Sequence, residues 1–368
     1  MKQIIAALAF LILAAASHAQ VPEVALRDPA VSIGSADGDS ANVLFGAFQA
    51  LRTSDGRIVA LNSGSQQVRV YDAAGRLVRS VGRRGAGPGE FRMLQRIGLL
   101  AGDSIAAYDI GLGRITVFTP GGAIARTVQV QPFGNAVLPR AYGFTSTGMM
   151  LVSTDFDRVF RPGTRRDSLD FALVSTASGA PTDTVGRYAG EEAFVLVHDG
   201  GASRRGVIFG RNVFASARGE RLVIGQNDTF RYDVFYGGGR SRRTFEHPHT
   251  PRSVTRADVA AANRDWLEGM PAQFRDAVAA RIAEFPHSAA HPPFTALLAG
   301  ADGTVVVEHA APPGAREHRW TTFAPNGAAR RVLVSAQPLT LLDAGEGWVL
   351  ARSIDALGVE RLLLFRYD

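Results

Sequence analysis

The sequence predicts an all-β protein, specifically a six-bladed β-propeller, and three observations lead to this fold class. A unit of four short segments, rich in valine and isoleucine, recurs along the 368 residues. Gly, Asp or Asn bounds most of these segments, as is typical of strands joined by tight turns. The last unit is one strand short, while a spare strand candidate stands near the N-terminus. A closed ring of repeated meanders accounts for all three observations.

The clearest unit begins at residue 47 and ends at residue 81. Its third segment alternates, with Val68 and Val70 on one face, as expected for a strand with one buried side. An Asp-Gly turn at 55–56 and a second turn at 74–75 separate neighbouring segments. The four predicted strands are residues 47–52, 57–61, 67–71 and 76–81.

Five further copies of the unit set the number of blades at six. One copy is looser, because the connection between its second and third strands, residues 155–168, is longer than in the others. The strand candidate at residues 30–34 supplies what the last copy lacks. We expect this N-terminal strand to close the last blade, since pairing removes the open edges of the ring. The further copies occupy residues 94–130, 141–187, 212–245, 294–334 and 338–367.

Residues 246–293 interrupt the repeat between blades four and five. Residues 256–267 and 272–285 have apolar positions at helical spacing. Thr255 is placed to cap the first helix and Pro271 to start the second. The segment therefore predicts a helical hairpin inserted between two blades. Its apolar stripes either pack on the rim of the propeller or form a lid.

The first nineteen residues predict a cleaved signal peptide. Lys2 precedes an apolar run from residue 4 to residue 16, and Ser17, His18 and Ala19 follow it. The run of thirteen residues is shorter than the roughly 20 that a membrane-spanning helix needs. We expect residues 20–368 to form one mature domain, periplasmic or secreted, without a membrane span. With no cysteine in the sequence, this domain uses neither disulfides nor a lipid-modified cysteine.

The charge balance argues against a nucleic-acid partner. The formal net charge is +6, and Lys2 is the only lysine. The arginines are scattered as short pairs such as Arg83-Arg84, without the basic runs interleaved with aromatic residues that nucleic-acid binding favours. We read them as a solvated surface.

The amino-acid sequence of the first two units resembles the NHL repeat and related bacterial six-bladed propellers. The resemblance rests on GRRGAGPGEF at residues 82–91, and on QQVRVYD and GRITVFT at 66–72 and 113–119. It is clear over residues 47–120 and weak beyond them. In that family the glycine-rich segment links the outer strand of one blade to the inner strand of the next. A phosphate loop would need a helix after the segment, and a strand follows here.

Polar residues stand at or near the end of each predicted second strand, on the face where a propeller usually binds its ligand. The resemblance to bacterial lactonases and related propeller hydrolases implies a divalent cation, calcium or similar, held there by Glu, Asn and Asp. The other interpretation is structural, because Asp and Asn commonly cap the turn that follows a strand. Both interpretations stay open. The residues are Asn62, Asp109, Asp155, Asn227, His309 and Ser353.

Four histidines flank the insertion and form a second, weaker candidate metal site. Imidazoles grouped in this way bind zinc or a similar ion. They lie in loop sequences without an acidic residue at ligand spacing. The four are His247, His249, His287 and His291.

Two functions remain after these observations. No Gly-x-Ser-x-Gly motif and no cysteine occurs, and the serines are spread through turns, so no nucleophile motif stands out. We expect a binding scaffold for an unidentified protein, peptide or glycan outside the cytoplasm. The alternative is a metal-dependent, lactonase-like hydrolase or lyase with its site at the central channel. Whether the protein is an enzyme is left open.

Overall fold

The computed structural model describes residues 21–36, 42–155, 161–198 and 201–367. The predicted signal peptide and its cleavage point lie outside these residues. Most of the described chain forms antiparallel β-sheet, arranged as six four-stranded meanders in sequence order. None of the described helices is long and apolar enough to span a membrane.

Blades one and two follow two short N-terminal strands. The N-terminal strands are β1 (Glu23–Ala25) and β2 (Val31–Ile33). Blade one contains β3 (Gln49–Arg52), β4 (Ile58–Asn62), β5 (Gln67–Tyr71) and β6 (Leu77–Val81). Blade two contains β7 (Leu94–Leu99), β8 (Ile105–Asp109), β9 (Arg114–Phe118) and β10 (Ile124–Gln129).

Blades three and four are joined by a single parallel pair, Gly143 with Ala217, into one nine-stranded sheet. Blade three contains β11 (Arg140–Phe144), β12 (Met149–Ser153), β13 (Gly163–Ser175) and β14 (Pro181–His198), with β15 (Gly201–Gly206) as a fifth strand. Blade four contains β16 (Val213–Arg218), β17 (Arg221–Gln226), β18 (Arg231–Tyr236) and β19 (Ser241–Glu246).

Blades five and six complete the ring. Blade five contains β20 (Phe294–Ala299), β21 (Val305–His309), β22 (His318–Phe323) and β23 (Ala329–Ser335). Blade six contains β24 (Thr340–Gly345), β25 (Trp348–Ile354) and β26 (Glu360–Arg366), and it takes its fourth strand from the N-terminus.

The N-terminal strand closes blade six, as the sequence predicts. β2 pairs antiparallel with β26, Val31 opposite Leu364 and Ile33 opposite Leu362. Both Val31 and Ile33 are buried. The even earlier strand β1 was not predicted; it adds to the outer edge of blade five, parallel to β23. The two edges that would otherwise stay open are therefore paired.

The core lies between the blades. Six buried apolar clusters occur among the described residues, one at each interface between neighbouring blades. Trp320 and Leu333 of blade five, for example, pack with Val349 and Leu363 of blade six. Alternate residues of each strand face the two neighbours, so both faces of a blade are apolar. This explains why most residues of the inner strands are buried in succession.

Blade three carries an extension that the sequence did not reveal. The sequence predicts a copy of the unit over residues 141–187 with a connection at 155–168, but β13 already begins at Gly163 and β14 continues to His198, and the two strands pair from Gly163–Val195 onward. β15 then pairs with the end of β14. We call residues 163–170, 186–198 and 201–206 the blade-three arm. The prediction was too short because residues 163–170 of β13 include no buried residue and so lack the alternation that marks a strand with one buried side.

The prediction of a regular helical hairpin between blades four and five is wrong in its second half. One full helix forms, α1 (Arg256–Glu268), and Thr255 caps it with a capping box to Asp258. The second helix, α2 (Ala272–Ala279), has only two turns, and a 3₁₀ turn (Ile282–Glu284) follows it. Arg281 leaves the helical conformation, so the predicted helix over 272–285 is interrupted there. No residue of α1 is buried.

Candidate functional site

The links between blades and the loops after the second strands meet on one face of the propeller, which we call the entrance face. The backbone N–H of Gly64, after β4, donates to the carbonyl oxygen of Phe45, just before β3, at 2.9 Å. The N–H of Ile110, after β8, donates to the carbonyl oxygen of Met93, before β7, at 3.1 Å. This is the face on which propellers commonly bind ligands.

Two adjoining cavities open on the entrance face. The larger, about 530 Å³, lies at the mouth of the central channel among the first strands of blades two to five and the blade-three arm. The smaller, about 390 Å³, lies between the arm, blade four and the end of the insertion. Glu191, Asn212 and Phe214 line both. The arm and the insertion thus build one side of the site.

Two arginines of the larger cavity have no carboxylate partner among the described residues. Arg96 of β7 is half-buried, and its Nε donates to the carbonyl oxygen of Ala141 at 3.2 Å. Arg140 of β11 is exposed and stands over the ring of Tyr142, 5.6 Å from its centroid. Burial, and then the positive charge of Arg140, lower the pKa of Arg96 to about 10. The two guanidinium groups therefore lie close enough to repel each other.

The carboxylates in the wall of the same cavity already have partners. Asp167 pairs with Arg165 at 2.5 Å, and Glu191 pairs with Arg204 at 2.7 Å. Asp155 is not free either. The excess positive charge at the channel mouth therefore resides on Arg96 and Arg140.

Three of the predicted site residues hold backbone groups on the entrance face. The side-chain oxygen of Asn62 accepts from the N–H of Phe45 at 2.8 Å, and that of Asn227 accepts from the N–H of Asn212 at 2.6 Å. The fully buried Asp109 uses both oxygens, accepting from the N–H groups of Arg92, Met93 and Leu112. Each side chain ties a second strand to the preceding interblade link.

The other predicted residues have separate surroundings. Asp155 lines the larger cavity, and its backbone exchanges two hydrogen bonds with the side chain of Asn135. His309 bonds the hydroxyl of Thr321 at 2.7 Å. Ser353 lies opposite Arg361 in blade six. His309 and Ser353 therefore have contacts different from the backbone contacts of Asn62, Asp109 and Asn227.

The four histidines that flank the insertion are also spread over different contacts. His247 packs against Phe323, with ring centroids 4.2 Å apart, and burial lowers its pKa. His249 and His287 are exposed. His291 is buried against Phe209 and bonds Asp258 of α1 at 3.1 Å. His291 fastens the insertion to blade five.

The described residues contain no group of three or more His, Asp or Glu side chains arranged to hold a metal ion. Both carboxylate oxygens of Asp109 accept hydrogen bonds from backbone N–H groups. Asp109 therefore has a structural role in this fold.

Sequence reasoning missed three charged residues of this region: Arg96, Arg140 and Glu308. The signal for the arginines was their position in the otherwise apolar innermost strands β7 and β11. Glu308 lies in β21 opposite Ala296, a residue of the larger cavity, and Trp320. Burial alone raises the pKa of its carboxyl from 4.5 to about 7.

Replacing Glu308 should change how stability depends on pH. The folded protein binds this proton more tightly than the unfolded chain, so stability falls as pH rises from about 4.5 through about 7. Above that range the ionised group costs about 3 kcal/mol. We expect Glu308→Gln to unfold at a higher denaturant concentration than wild type at pH 8, with little difference at pH 4. Equal pH profiles of the two proteins would contradict the burial of this carboxyl.

The opposite end of the channel is braced by a buried ion pair. Arg218 of blade four donates from Nε and Nη2 to the two oxygens of Asp343 of blade six, both at 3.1 Å. Arg218 also donates to the carbonyl oxygen of Arg52 in blade one, whose N–H donates to Asp343. A third cavity, about 550 Å³, lies outside this brace. Arg218, Arg52 and Asp103 of its lining take part in structural contacts.

Comparisons with known proteins agree with the fold. A model of the family DUF5128, described as a 6-bladed beta-propeller, matches residues 40–130. None of the curated proteins matches the sequence.

Solved structures resemble nearly the whole chain at low sequence identity. A Bacteroides fragilis NCTC 9343 protein described as exported is 10% identical, with a TM-score of 0.52 over 94% of this chain and 98% of its own. A member of the DUF4221 family from Bacteroides vulgatus is 8% identical, with a TM-score of 0.53 over 92% and 96%. Streptogramin B lyase reaches a TM-score of only 0.40, at 10% identity, over 89% of this chain and 80% of its own. At these identities the likeness concerns the fold: the chain is a six-bladed β-propeller similar to bacterial propellers of this kind.

Proposed function

We propose that this protein is a propeller-type binding scaffold that works outside the cytoplasm, periplasmic or secreted, and holds its ligand at the entrance face. The observation that carries the proposal is the pair of adjoining cavities at the channel mouth. Elements added to the repeat, the arm and the insertion, wall one side of them. Additions to a propeller that shape one mouth are typical of a recognition site.

Contacts with the arm and with the strand that enters blade five hold the insertion in place beside the cavities. Arg205 of the arm lies over the ring of Trp266, 3.7 Å from its centroid, and Phe285 packs edge-on against Phe194. His291 and Asp258 join the start of α1 to the strand that enters blade five. A wall held at both ends supports a preformed site, which lowers the entropy lost on binding.

The chemistry of the face favours binding over catalysis. The polar side chains that a channel-centred hydrolase would use are engaged with backbone groups, as Asn62, Asp109 and Asn227 illustrate. The predicted signal peptide and the likeness to a protein described as exported support the location. The ligand expected from the sequence, a protein, peptide or glycan, fits such a face.

A matched pair of blocking substitutions tests which end of the channel binds. Ligands would first be selected with the full mature chain from a random peptide display library and an oligosaccharide array. Thr295 is exposed in the smaller cavity, and Glu220 is exposed in the cavity at the opposite end. We expect Thr295→Trp to weaken the selected ligands at least about tenfold by filling the site, and Glu220→Trp to leave them unchanged.

Two results would contradict the proposal. Loss of binding with Glu220→Trp but not with Thr295→Trp would mean that the ligand binds at the opposite end of the channel. One tightly held divalent ion per purified chain, with a metal-dependent rise in melting temperature, would favour the hydrolase instead.

A further inference from the structure

The arm and the insertion cover one side of the entrance face, and most of the exposed large hydrophobic side chains lie on the other side. The arm and the insertion occupy the side of blades three to five. Of the eleven exposed large hydrophobic side chains among the described residues, eight lie on the entrance face from blade six to the start of blade three. We call these eight the apolar crescent. They are Val43, Phe45, Phe48, Met93, Val137, Leu138, Ile354 and Leu357.

Several side chains of the crescent are exposed over most of their surface. Leu357 is 88% exposed, Val137 72% and Phe45 69%. Apolar side chains concentrated on one face of a soluble protein mark an interaction surface, whereas scattered ones need no explanation. Only three of the eleven, Val78, Ile124 and Val197, lie elsewhere.

The crescent borders Arg96 and Arg140, the two arginines of the channel mouth that have no carboxylate partner in the part of the chain that the structure describes. Val137 and Leu138 lead directly into Arg140, and Met93 stands three residues before Arg96. Apolar residues of two neighbouring interblade links thus precede the arginines of β7 and β11. Arginine, methionine and aromatic residues are enriched in protein-binding surfaces.

We propose that the ligand is a protein segment in which a carboxylate lies next to apolar side chains, the carboxylate bound by Arg96 and Arg140 and the apolar side chains by the crescent. This inference rests on the proposed function and names its ligand class. A guanidinium group holds a carboxylate with charge-assisted, often bidentate hydrogen bonds. Complementary charge at a concave mouth also speeds association, more so at low salt.

The crescent favours a protein segment over an acidic sugar. Val137, Leu138 and Met93 offer apolar area that gains from covering apolar side chains. Sugar hydroxyls placed on the same residues would leave water without finding hydrogen-bond partners. A segment that alternates acidic and apolar residues satisfies both parts of the surface.

The test is selection from a random heptapeptide phage-display library on the immobilised mature chain, followed by affinity measurements with fluorescently labelled winners. We expect winners enriched in Asp or Glu beside apolar residues. Arg96→Gln and Arg140→Gln should each weaken them on the order of tenfold to a hundredfold. Leu138→Ser should weaken them severalfold, and higher salt should weaken them further.

Two control variants separate the site from general effects. Arg264 is an exposed arginine of α1, and Val78 is 49% exposed on the outer strand of blade one. Arg264→Gln should leave affinity unchanged if the loss in the other arginine variants is local. Val78→Ser should do the same for the crescent. All of these substitutions except that of Arg96 change exposed side chains, and a thermal melt of each variant checks its folding.

The possible failures are distinguishable. Winners without acidic residues that Thr295→Trp still blocks would overturn the carboxylate while leaving the binding scaffold in place. Binding of an oligogalacturonate, with no peptide selected, would make the ligand an acidic glycan and overturn the protein segment. Absence of any selected ligand, peptide or sugar, would overturn both proposals.

Discussion

Removing residues 1–41, so that the chain begins at Asn42, is expected to lower the free energy of unfolding by about 5 kcal/mol or more. The deletion takes away β1 and β2 and the buried side chains of Leu26, Val31 and Ile33. Each buried aliphatic side chain contributes about 1.5–3 kcal/mol. The melting temperature should fall on the order of 10 °C. The unpaired edge of β26 should also promote aggregation.

The control for this deletion is a chain that begins at Val21 and keeps both strands. Chemical denaturation and calorimetry of the two proteins measure the difference. If both melt within about two degrees of each other, ring closure by β2 contributes little and another contact holds blade six.

Breaking the buried ion pair should have the second large effect. Arg218→Leu leaves the carboxylate of Asp343, whose side chain is 1% exposed, without its charged partner. The expected loss is about 3–5 kcal/mol, because an unpaired buried charge is costly. Arg218→Leu combined with Asp343→Asn should be more stable than Arg218→Leu alone, since no buried charge remains and the amide oxygen still accepts from Arg52.

An exposed ion pair provides the comparison. Arg76 pairs with Asp72 at 2.8 Å, but the arginine side chain is 82% exposed. Arg76→Leu should cost about 0–1 kcal/mol in the same denaturation experiment. Equal losses for Arg76→Leu and Arg218→Leu would mean that Arg218 does not brace the channel.

The strands of the blades were predictable because local pattern and tertiary burial agree in them. The predicted segments 57–61 and 67–71 correspond to β4 (Ile58–Asn62) and β5 (Gln67–Tyr71) within one residue. Their alternating residues face two neighbouring blades, and their turns need the glycines that mark them, as at Gly56 with a φ of 88°. The spare N-terminal strand was predictable from the count of strands alone.

The first strand of the arm, residues 163–170, and the second helix were less predictable because no buried face imposes a period on them. Arg165 pairs with Asp167 of the same strand, whereas Arg166 bonds the carbonyl oxygen of Gly190 and pairs with Asp228, both distant in sequence. In the insertion, Arg281 pairs with Glu284 across the 3₁₀ turn that replaces the expected helix. Such contacts override apolar spacing.

The site was only partly predictable for a related reason. Sequence spacing placed Asn62, Asp109 and Asn227 on the correct face but left open whether they bind a ligand or cap the fold. Their oxygens accept from N–H groups of the interblade links, which only the folded ring brings near. Arg96 and Arg140 likewise meet only because blades two and three are neighbours.

Hydrogen exchange with and without a selected ligand tests the central claim, that the entrance face binds, most directly. Backbone amides of residues 93–96 and 137–142 should exchange more slowly when the ligand is bound, because it covers the links beside the channel mouth. Amides of residues 219–221, at the opposite end, should be unchanged. Protection confined to residues 219–221 and 301–303 would contradict the account.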